Sequence, residues 1–588
     1  MSPGRRPLTY RGLGERVDAV ARALAEAGLG RGRRVAVALP HGPEFAVALL
    51  AACCATTCAP LNDQLTEAAL AQLLAAMRID ALMAVEGADT NATRAARRLT
   101  LPILGVRVMP DSPAGSFDLL ARAAGGSVDV KPPQLDDIAL VTHTSGTTGL
   151  PKIMPFEHWR MAESARSRVE LASILSTDRC LAVVPFHSTV AIRRGLLPAL
   201  LVGASVICPP VLDAATLAAL VQSMRPTQLL APPVVLIAMM DELERRQPRP
   251  AHCLRFVTSS FAELAPAVRQ RIEHAFGVPV VEAYGMAECG SIAETPLPPA
   301  VAPPGSVGRP CTLEVAVADD SGRFLGHDRP GEIVVRGAEV IAGYENSAEA
   351  SRSAFREGWF RTGDVGRVDR DGFVFLDGRI KDMINRGGSK VLPGEVEQAL
   401  GQHAAVSEAA AFAVPHPTLG EDVFAAVVSA DPRLTEGELR RFVRPRLTAD
   451  RRPTRILVLD ELPRATLGKV NRVELARIAQ RMAAADLEPP RPGTEAAIAS
   501  VFAEVLEVPA VSRASDFFHL GGDSLRAVRL VMAIEAACGA RLDLESVFDH
   551  PTVAELAECV AAAVPVAAGG EPARTAEQSF LTSKTETS

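Results

Sequence analysis

The stretch Val141 to Lys152 reads Val-Thr-His-Thr-Ser-Gly-Thr-Thr-Gly-Leu-Pro-Lys and gathers hydroxyls, glycines and one lysine in quick succession. Gly146 and Gly149 let backbone N–H groups approach an oxyanion closely, Thr144, Ser145, Thr147 and Thr148 add neutral donors, and Lys152 adds a positive charge. A polyphosphate suits such a cradle, whereas an ordinary Ser/Thr/Gly surface loop is the bland alternative. The loop is not a Walker A motif, because Leu150 and Pro151 separate Gly149 from Lys152. Further on, Glu282-Ala-Tyr-Gly-Met-Ala-Glu288 offers Tyr284 as a ring to stack on a base, Gly285 for close backbone approach and Glu288 as an oxygen ligand for Mg²⁺. A third group, Asp516-Phe-Phe-His-Leu-Gly-Gly-Asp-Ser524, places a serine shortly after two glycines that expose a helix start. An ordinary N-cap is the plain reading of Asp523 or Ser524.

Elements that must position these residues follow from periodicity. Ile138 to Val141 is an apolar run that reads as a buried strand leading into the loop. Leu13 to Leu29 has helix periodicity, Arg34 to Leu39 is a short apolar strand, and Glu44 to Cys54 is helical again, the alternation of a parallel sheet covered by helices. The pattern repeats after the loop, with a helix around Met161 to Leu175 and a strand at Cys180 to Val184. From Gly305 to Asp377 it changes to short strands and turns. Asp486 to Gly493 is a proline-rich linker. Beyond it lie a helix from Thr494, capped by that threonine, a second from Ser524 to Ala537 ended by Gly539, and more helix periodicity after Thr552, which together imply a small bundle.

A chain of 588 residues with 48% hydrophobic residues divides into several domains with ample cores. The formal net charge of -7 and the lack of a Lys/Arg block argue against nucleic acid as a partner. Ten cysteines lack paired metal-ligand spacing and read as small apolar residues of a reducing cytoplasm. The N-terminus has no apolar signal core, and the most apolar stretch, Phe45 to Ala59, is too short to span a bilayer, so no membrane association and a cytoplasmic location are expected.

The string at 141–152 resembles the phosphate loop of the adenylate-forming superfamily, which includes acyl-CoA synthetases and nonribosomal-peptide adenylation domains. Other motifs resemble that family in the expected order. Tyr284 to Glu288 is similar to its Tyr-Gly-Met-Thr-Glu, with Ala287 in place of the threonine whose hydroxyl normally contacts the α-phosphate. Gly358-Trp-Phe-Arg-Thr-Gly-Asp364 implies ribose binding by Asp364, for which a solvated turn aspartate is the plain alternative. In Asp377 to Glu395, Arg379 matches the nucleotide-ribose contact, Lys381 the hinge, and Gly387-Gly388 the stretch near the pantetheine thiol. Leu462-Pro-Arg-Ala-Thr-Leu-Gly-Lys469 resembles the terminal adenylation motif, whose lysine bridges the acid carboxylate and the α-phosphate. The segment at 516–524 resembles an acyl or peptidyl carrier motif, which implies 4′-phosphopantetheine on Ser524. Leu8-Thr9-Tyr10 resembles a segment that relatives reach after a longer leader, so an N-terminal strand or helix is expected to be missing.

The resemblance also bears on the acid. Phe186-His187 stands where acyl- and aryl-CoA ligases carry Phe-His and amino-acid-activating domains carry Phe-Asp, and no acidic residue follows before Asp213. A buried ammonium without an anionic partner is strongly disfavoured, so the acid should lack an α-amino group unless another carboxylate such as Glu263 is recruited. Ser259-Ser260-Phe261-Ala262-Glu263-Leu264 stands where relatives show Ser-Gly-Ala-Ala-Pro-Leu. Ser260, Phe261 and Ala262, with Gly285, then line a pocket shortened for a small acid, or Phe261 packs outward.

The fold expected is a large α/β adenylation domain over 1–378, a small α+β lid over 379–485, a linker at 486–493, an all-α four-helix carrier over 494–564 and a disordered tail over 565–588. The resemblance implies a ligase that uses ATP and Mg²⁺ to make an acyl-adenylate, with Lys469 and His187 at the chemistry, and then loads the arm on Ser524 as a loading or stand-alone module of a nonribosomal-peptide or polyketide pathway. A phosphopantetheinyl transferase and downstream synthase or tailoring enzymes are the implied partners. The alternatives are an amino-acid-activating didomain, a ligase delivering to free CoA, and an inactive scaffold with a working carrier, which Ala287 keeps open.

Overall fold

The computed structural model describes the chain except residues 121–127, 130, 145–150, 246–250, 417, 430, 465–468, 486–487, 509–510, 519, 521, 523 and 564–588. The side chains of 483–485 and 524–525 also lie outside the description. The tail expected from 565 onward, and the loop residues Ser145, Gly146, Thr147, Thr148 and Gly149, fall in these gaps.

The chain divides into two compact units, Met1–Ile380 with Ala465–Lys469, and Lys381–Arg464 with Val470–Ser588. Among the described residues, the first unit holds two seven-stranded sheets and a smaller five-stranded one. The first sheet pairs Arg34–Ala38 in parallel with Thr57–Pro60 and Ala81–Val85, strands buried on both faces as their continuous apolar composition requires. It ends in Ile138–Thr144 and Lys152–Glu157, antiparallel, with Thr144 opposite Lys152. The hydroxyl- and glycine-rich loop is therefore the connection of a hairpin whose two ends are held in register. The second sheet runs in parallel through Arg179–Leu181, Gln228–Ala231, Phe256–Ser260 and Val280–Met286, then turns antiparallel into Gly290–Glu294. The third, built from Glu314–Ala318, Gly331–Arg336, Trp359–Val368 and Val374–Arg379 with Phe355–Arg356, is the short-strand region.

Helices cover the sheets as their apolar stripes dictate. Pro43–Ala55 is apolar all round and correspondingly buried, while Tyr10–Glu26 starts at a Thr9 side chain that accepts from the Gly12 N–H. The expected helix over 161–175 is His158–Leu171, and the expected strand over 180–184 is Arg179–Leu181, the chain leaving the sheet before Val183 and bending at Val184.

In the second unit, Val406–His416 and Gly420–Ser429 form the long hairpin of a five-stranded sheet, flanked by Pro393–Gly401 and Glu436–Val443. Gly387 and Gly388 both have positive φ, 57° and 93°. They are the two-residue turn joining Ile384–Arg386 to Ser389–Val391, a geometry that needs left-handed residues at both positions. Thr494–Leu506, Ser524–Cys538, Leu544–Asp549 and Val553–Ala562 form the four-helix bundle around Phe502, Phe517, Leu530 and Ile534. Thr494 does not cap the first helix: Gly493 occupies the cap position, without a side-chain bond. Gly539, with φ 66°, follows the second helix, and Thr552 caps the last with a reciprocal bond to Glu555.

Lid and bundle meet within this unit. Arg440 lies 3.6 Å from Asp516, the first residue of the carrier motif, and Arg444 lies 3.2 Å from Asp549 and 3.5 Å from Glu545.

Candidate active site

Lys152 leaves the phosphate-type loop as the first residue of a strand, and its ammonium sits 4.7 Å above the ring of Tyr344. The Tyr344 hydroxyl donates to Glu288 at 3.1 Å. Next to it, Asn346 Nδ2 donates to the Pro151 carbonyl and its Oδ1 accepts from the Ile153 N–H, at 2.7 and 2.9 Å. The Ile341 N–H donates to the Glu288 carbonyl. The segment Ile341-Ala-Gly-Tyr-Glu-Asn346 thus fastens the base of the loop to the buried carboxylate of Glu288, a connection across distant sequence that periodicity does not reveal. A Gly-Tyr pair followed by Glu345 and Asn346 was the available signal.

Tyr284 is buried and its hydroxyl donates to Asp364 Oδ2 at 2.7 Å. Burial and the neighbouring carboxylate push its phenol well above the ordinary tyrosine range. The other Asp364 oxygen lies 2.8 Å from Arg379, which is partly exposed. Tyr284, Asp364 and Arg379 therefore form one chain of charge-assisted bonds. Asp364 is buried, not a solvated turn aspartate. Gly285 has no alternative residue: a Cβ there would lie 2.2 Å from the Gly290 carbonyl oxygen on the adjacent strand.

Phe186 is buried between Phe45 and His41, the latter stacked at 4.9 Å. His187 follows it at the surface of the core, and burial lowers its pKa to about 4, with Asp63 opposing the shift. Burial also lowers His41 to about 4 and shifts His143 downward. Imidazoles at all three positions are neutral at pH 7. His187 can accept or donate a single hydrogen bond there but carries no charge.

Ser260 donates to the Ala283 carbonyl at 3.1 Å, tying the two segments together. Phe261 packs against the core that holds Phe186, so it does not point outward, and it does so with φ 81°, a left-handed conformation rare for an aromatic residue. Ala262 and Glu263 are exposed.

Lys469 is exposed and belongs to the first unit, although Arg464 and Val470 on either side belong to the second. Lys381 begins the second unit within a short 3₁₀ turn, Ile380–Asp382. Ser524 opens its helix, and Gly522 just before it donates its N–H to the Phe517 carbonyl. A Cβ at Gly522 would meet the Phe517 ring at 2.4 Å, so the glycine is required for the aromatic to lie beneath the serine's helix. Buried arginines went unseen in the sequence: Arg193 donates to Ser164, to the Ala287 carbonyl and to Glu339, and Arg168 and Arg194 both face Glu294.

Residues 2–345 match the AMP-binding enzyme family, 395–469 the AMP-binding enzyme C-terminal domain, and 496–560 the phosphopantetheine attachment site. An oxalate–CoA ligase of Arabidopsis thaliana is 33% identical over 480 residues, covering 80% of this chain and 93% of its own. A sulfoacetate–CoA ligase of Cupriavidus necator is 31% identical over 472 residues, covering 80% and 92%. The crystal structure of ATP-bound MatB from Rhodopseudomonas palustris superposes with a TM-score of 0.73 at 26% identity, covering 82% of this chain and 97% of that one. ATP and Mg²⁺ are the cofactors of the ligase part, and 4′-phosphopantetheine is carried covalently by the bundle. The donor set fits them: a buried carboxylate already oriented by Tyr344 suits a hard cation, and the Asp364 carboxylate, bonded to Tyr284 and paired with Arg379, is an acceptor of the kind that hydroxyl groups seek. Among the described residues no helix is long and apolar enough to cross a membrane. The chain is an acid-activating, AMP-forming ligase of the AMP-binding enzyme family, fused to a phosphopantetheine carrier domain.

Proposed function

We propose that the protein activates a small carboxylic acid without an α-amino group and transfers the acyl group to the phosphopantetheine on its own Ser524, as a loading or stand-alone module of a nonribosomal-peptide or polyketide pathway. The observation that carries this reading is that ligase and carrier share one chain, with the carrier helices following the lid after a short linker. The acids named in the two relatives above, oxalate and sulfoacetate, are small and lack an amino group. Glu263, the carboxylate that an amino-acid substrate would have recruited, is exposed, which supports the same choice.

In this reading Lys152 and the loop before it hold the polyphosphate, Glu288 ligates Mg²⁺, and Asp364 with Arg379 takes the ribose. Bound Mg²⁺ supplies charge neutralisation at the phosphates. Lys469 offsets the repulsion between the attacking carboxylate and the α-phosphate, and neutral His187 with Phe261 bounds the acid. Ala287 offers no hydroxyl to the α-phosphate. Partners are a phosphopantetheinyl transferase, and downstream synthase or tailoring enzymes that take the acyl group from the carrier. The site of action is the cytoplasm.

Mass spectrometry of the phosphopantetheinylated protein with ATP and a panel of small acids tests this. An acyl mass on Ser524 together with pyrophosphate release is expected. Rapid acyl-CoA formation with no acylation of Ser524 would replace it with a ligase acting on free CoA. An absence of pyrophosphate release with every acid would leave a scaffold whose carrier alone works. Preference for an α-amino acid would overturn the argument from His187 and point to Asp63 as the ammonium's partner.

A further inference from the structure

Two buried guanidinium groups share one carboxylate beneath the second sheet. Arg168 on the helix His158–Leu171 lies 2.6 Å from Glu294, and Arg194 lies 2.5 Å from the same residue. All three side chains are nine-tenths or more buried, with exposures of 5%, 8% and 9%. Of the other groups facing them, the Thr258 hydroxyl, 3.4 Å from Arg168, and the Ser291 hydroxyl, bonded to Glu294, are neutral, and burial raises the Cys311 thiol so that it holds its proton. Arginine does not lose its proton at any working pH. The cluster therefore carries an uncompensated positive charge. Nearby Arg193 differs, being matched one to one by Glu339 at 3.0 Å.

Hydrogen bonding shows the same imbalance at the level of atoms. Arg194 Nε and Nη2 and Arg168 Nε are buried without a hydrogen-bond partner, and Glu294 Oε1, 2.5 Å from the third Arg194 nitrogen, is the one buried oxygen of the cluster in the same position. An unpaired buried charge is strongly disfavoured, and an unbonded buried donor adds to that. A cluster retained in this form is built for an anion that the chain does not itself supply.

Its place in the fold says which anion. Arg194 lies in the π-helical stretch Ala191–Leu196, about two helical turns past His187. Such local widening of a helix is frequent at functional sites. Glu294 is the register partner of Ala283, whose carbonyl accepts from Ser260 and which precedes Tyr284 and Gly285. The adjacent Arg193 donates to the Ala287 carbonyl. The orphaned nitrogens thus lie behind the segments that bound the acid in the proposed function, on which this inference rests. We infer that Arg194, supported by Arg168 and Glu294, binds the distal anionic group of a short diacid, carboxylate or sulfonate, while the other carboxylate is adenylated.

Matched acids test this on the full-length holoprotein. Pyrophosphate release is measured with acetate, propionate and butyrate against malonate, succinate, glutarate and sulfoacetate, and calorimetry measures binding of the same acids without ATP. The diacids should exceed their monoacid counterparts about tenfold or more in kcat/KM, as expected for a buried charge pair. In Arg194→Met that ratio should fall at least about tenfold, chiefly through KM, with Arg194→Lys in between. Equal or better use of monoacids by the unaltered protein, or an equal loss for both acid classes in Arg194→Met, would overturn the inference. If the variant fails to fold, calorimetry on the unaltered protein decides: diacid binding with no monoacid binding supports the site, and the reverse removes it. Failure of adenylation with every acid would instead refute the proposed function, and the binding data would still judge Arg194.

Discussion

Ala287 and Lys469 make opposite predictions about the same phosphate. A hydrogen bond to a charged group is worth about 1.5 to 3 kcal/mol, so Ala287→Thr should raise the rate of pyrophosphate release by about tenfold to a hundredfold where adenylation limits turnover. In the proposed function Lys469 meets the converging negative charges, so Lys469→Ala should lower it by about a hundredfold or more. Substrate-dependent pyrophosphate release checks both. His187 makes a prediction in pH. Its pKa falls from the ordinary value of 6.5 to about 4 on burial, so the folded protein favours the neutral form. The stability this contributes is complete above the unfolded pKa and is lost as pH falls from 6.5 through about 4, by up to about 3 kcal/mol. His41 adds a loss of the same sign over the same window. Urea midpoints at pH 7 and pH 4.5 should differ, and the difference should shrink in His187→Gln.

Among the elements, Gly522 before the carrier serine and Phe261 with its positive φ are both tightly constrained. Gly522→Ala would drive a Cβ into the Phe517 ring, and the carrier should lose about 1 to 3 kcal/mol with slower phosphopantetheinylation. Thermal unfolding and mass spectrometry of Ser524 would show it. Strands, helices and their order were legible because burial leaves direct marks: Ile138 to Val141 and Arg34 to Leu39 are apolar runs, and Gly539 ends its helix by the left-handed φ that favours glycine. Other features were hidden because they depend on contacts far along the chain. Tyr344 reaches Glu288 and Lys152 only in the folded state, and arginines such as Arg168 read as surface residues until their glutamate partners arrive from other strands. The hydrophobic pattern says that a segment is inside, whereas the charge that accompanies it inside is set by the partner strand. Gly387-Gly388 was read through its resemblance to a substrate passage, and the hairpin geometry gives both glycines a purely local reason to be present. Thr494 was misplaced by one residue because a hydroxyl near a helix start satisfies the capping pattern whether or not it accepts the bond.

For the whole molecule, the lid and the carrier bundle belong to one compact unit held partly by charge. Arg440 and Asp516 are well shielded, with exposures of 14% and 2%, whereas Arg444 and Asp549 are partly exposed and Glu545 is open to solvent. The two contacts therefore differ in their response to salt. Mobile ions screen the exposed pairs over a Debye length of about 8 Å at physiological ionic strength and about 3 Å at 1 M, while the shielded pair is screened much less. Ionic strength is therefore expected to tune the exposed part of this seam, while the covalent linker keeps the bundle at high local concentration throughout. Acyl transfer between the chain's own thiol and an added thiol in solution should consequently shift toward the added thiol as salt rises.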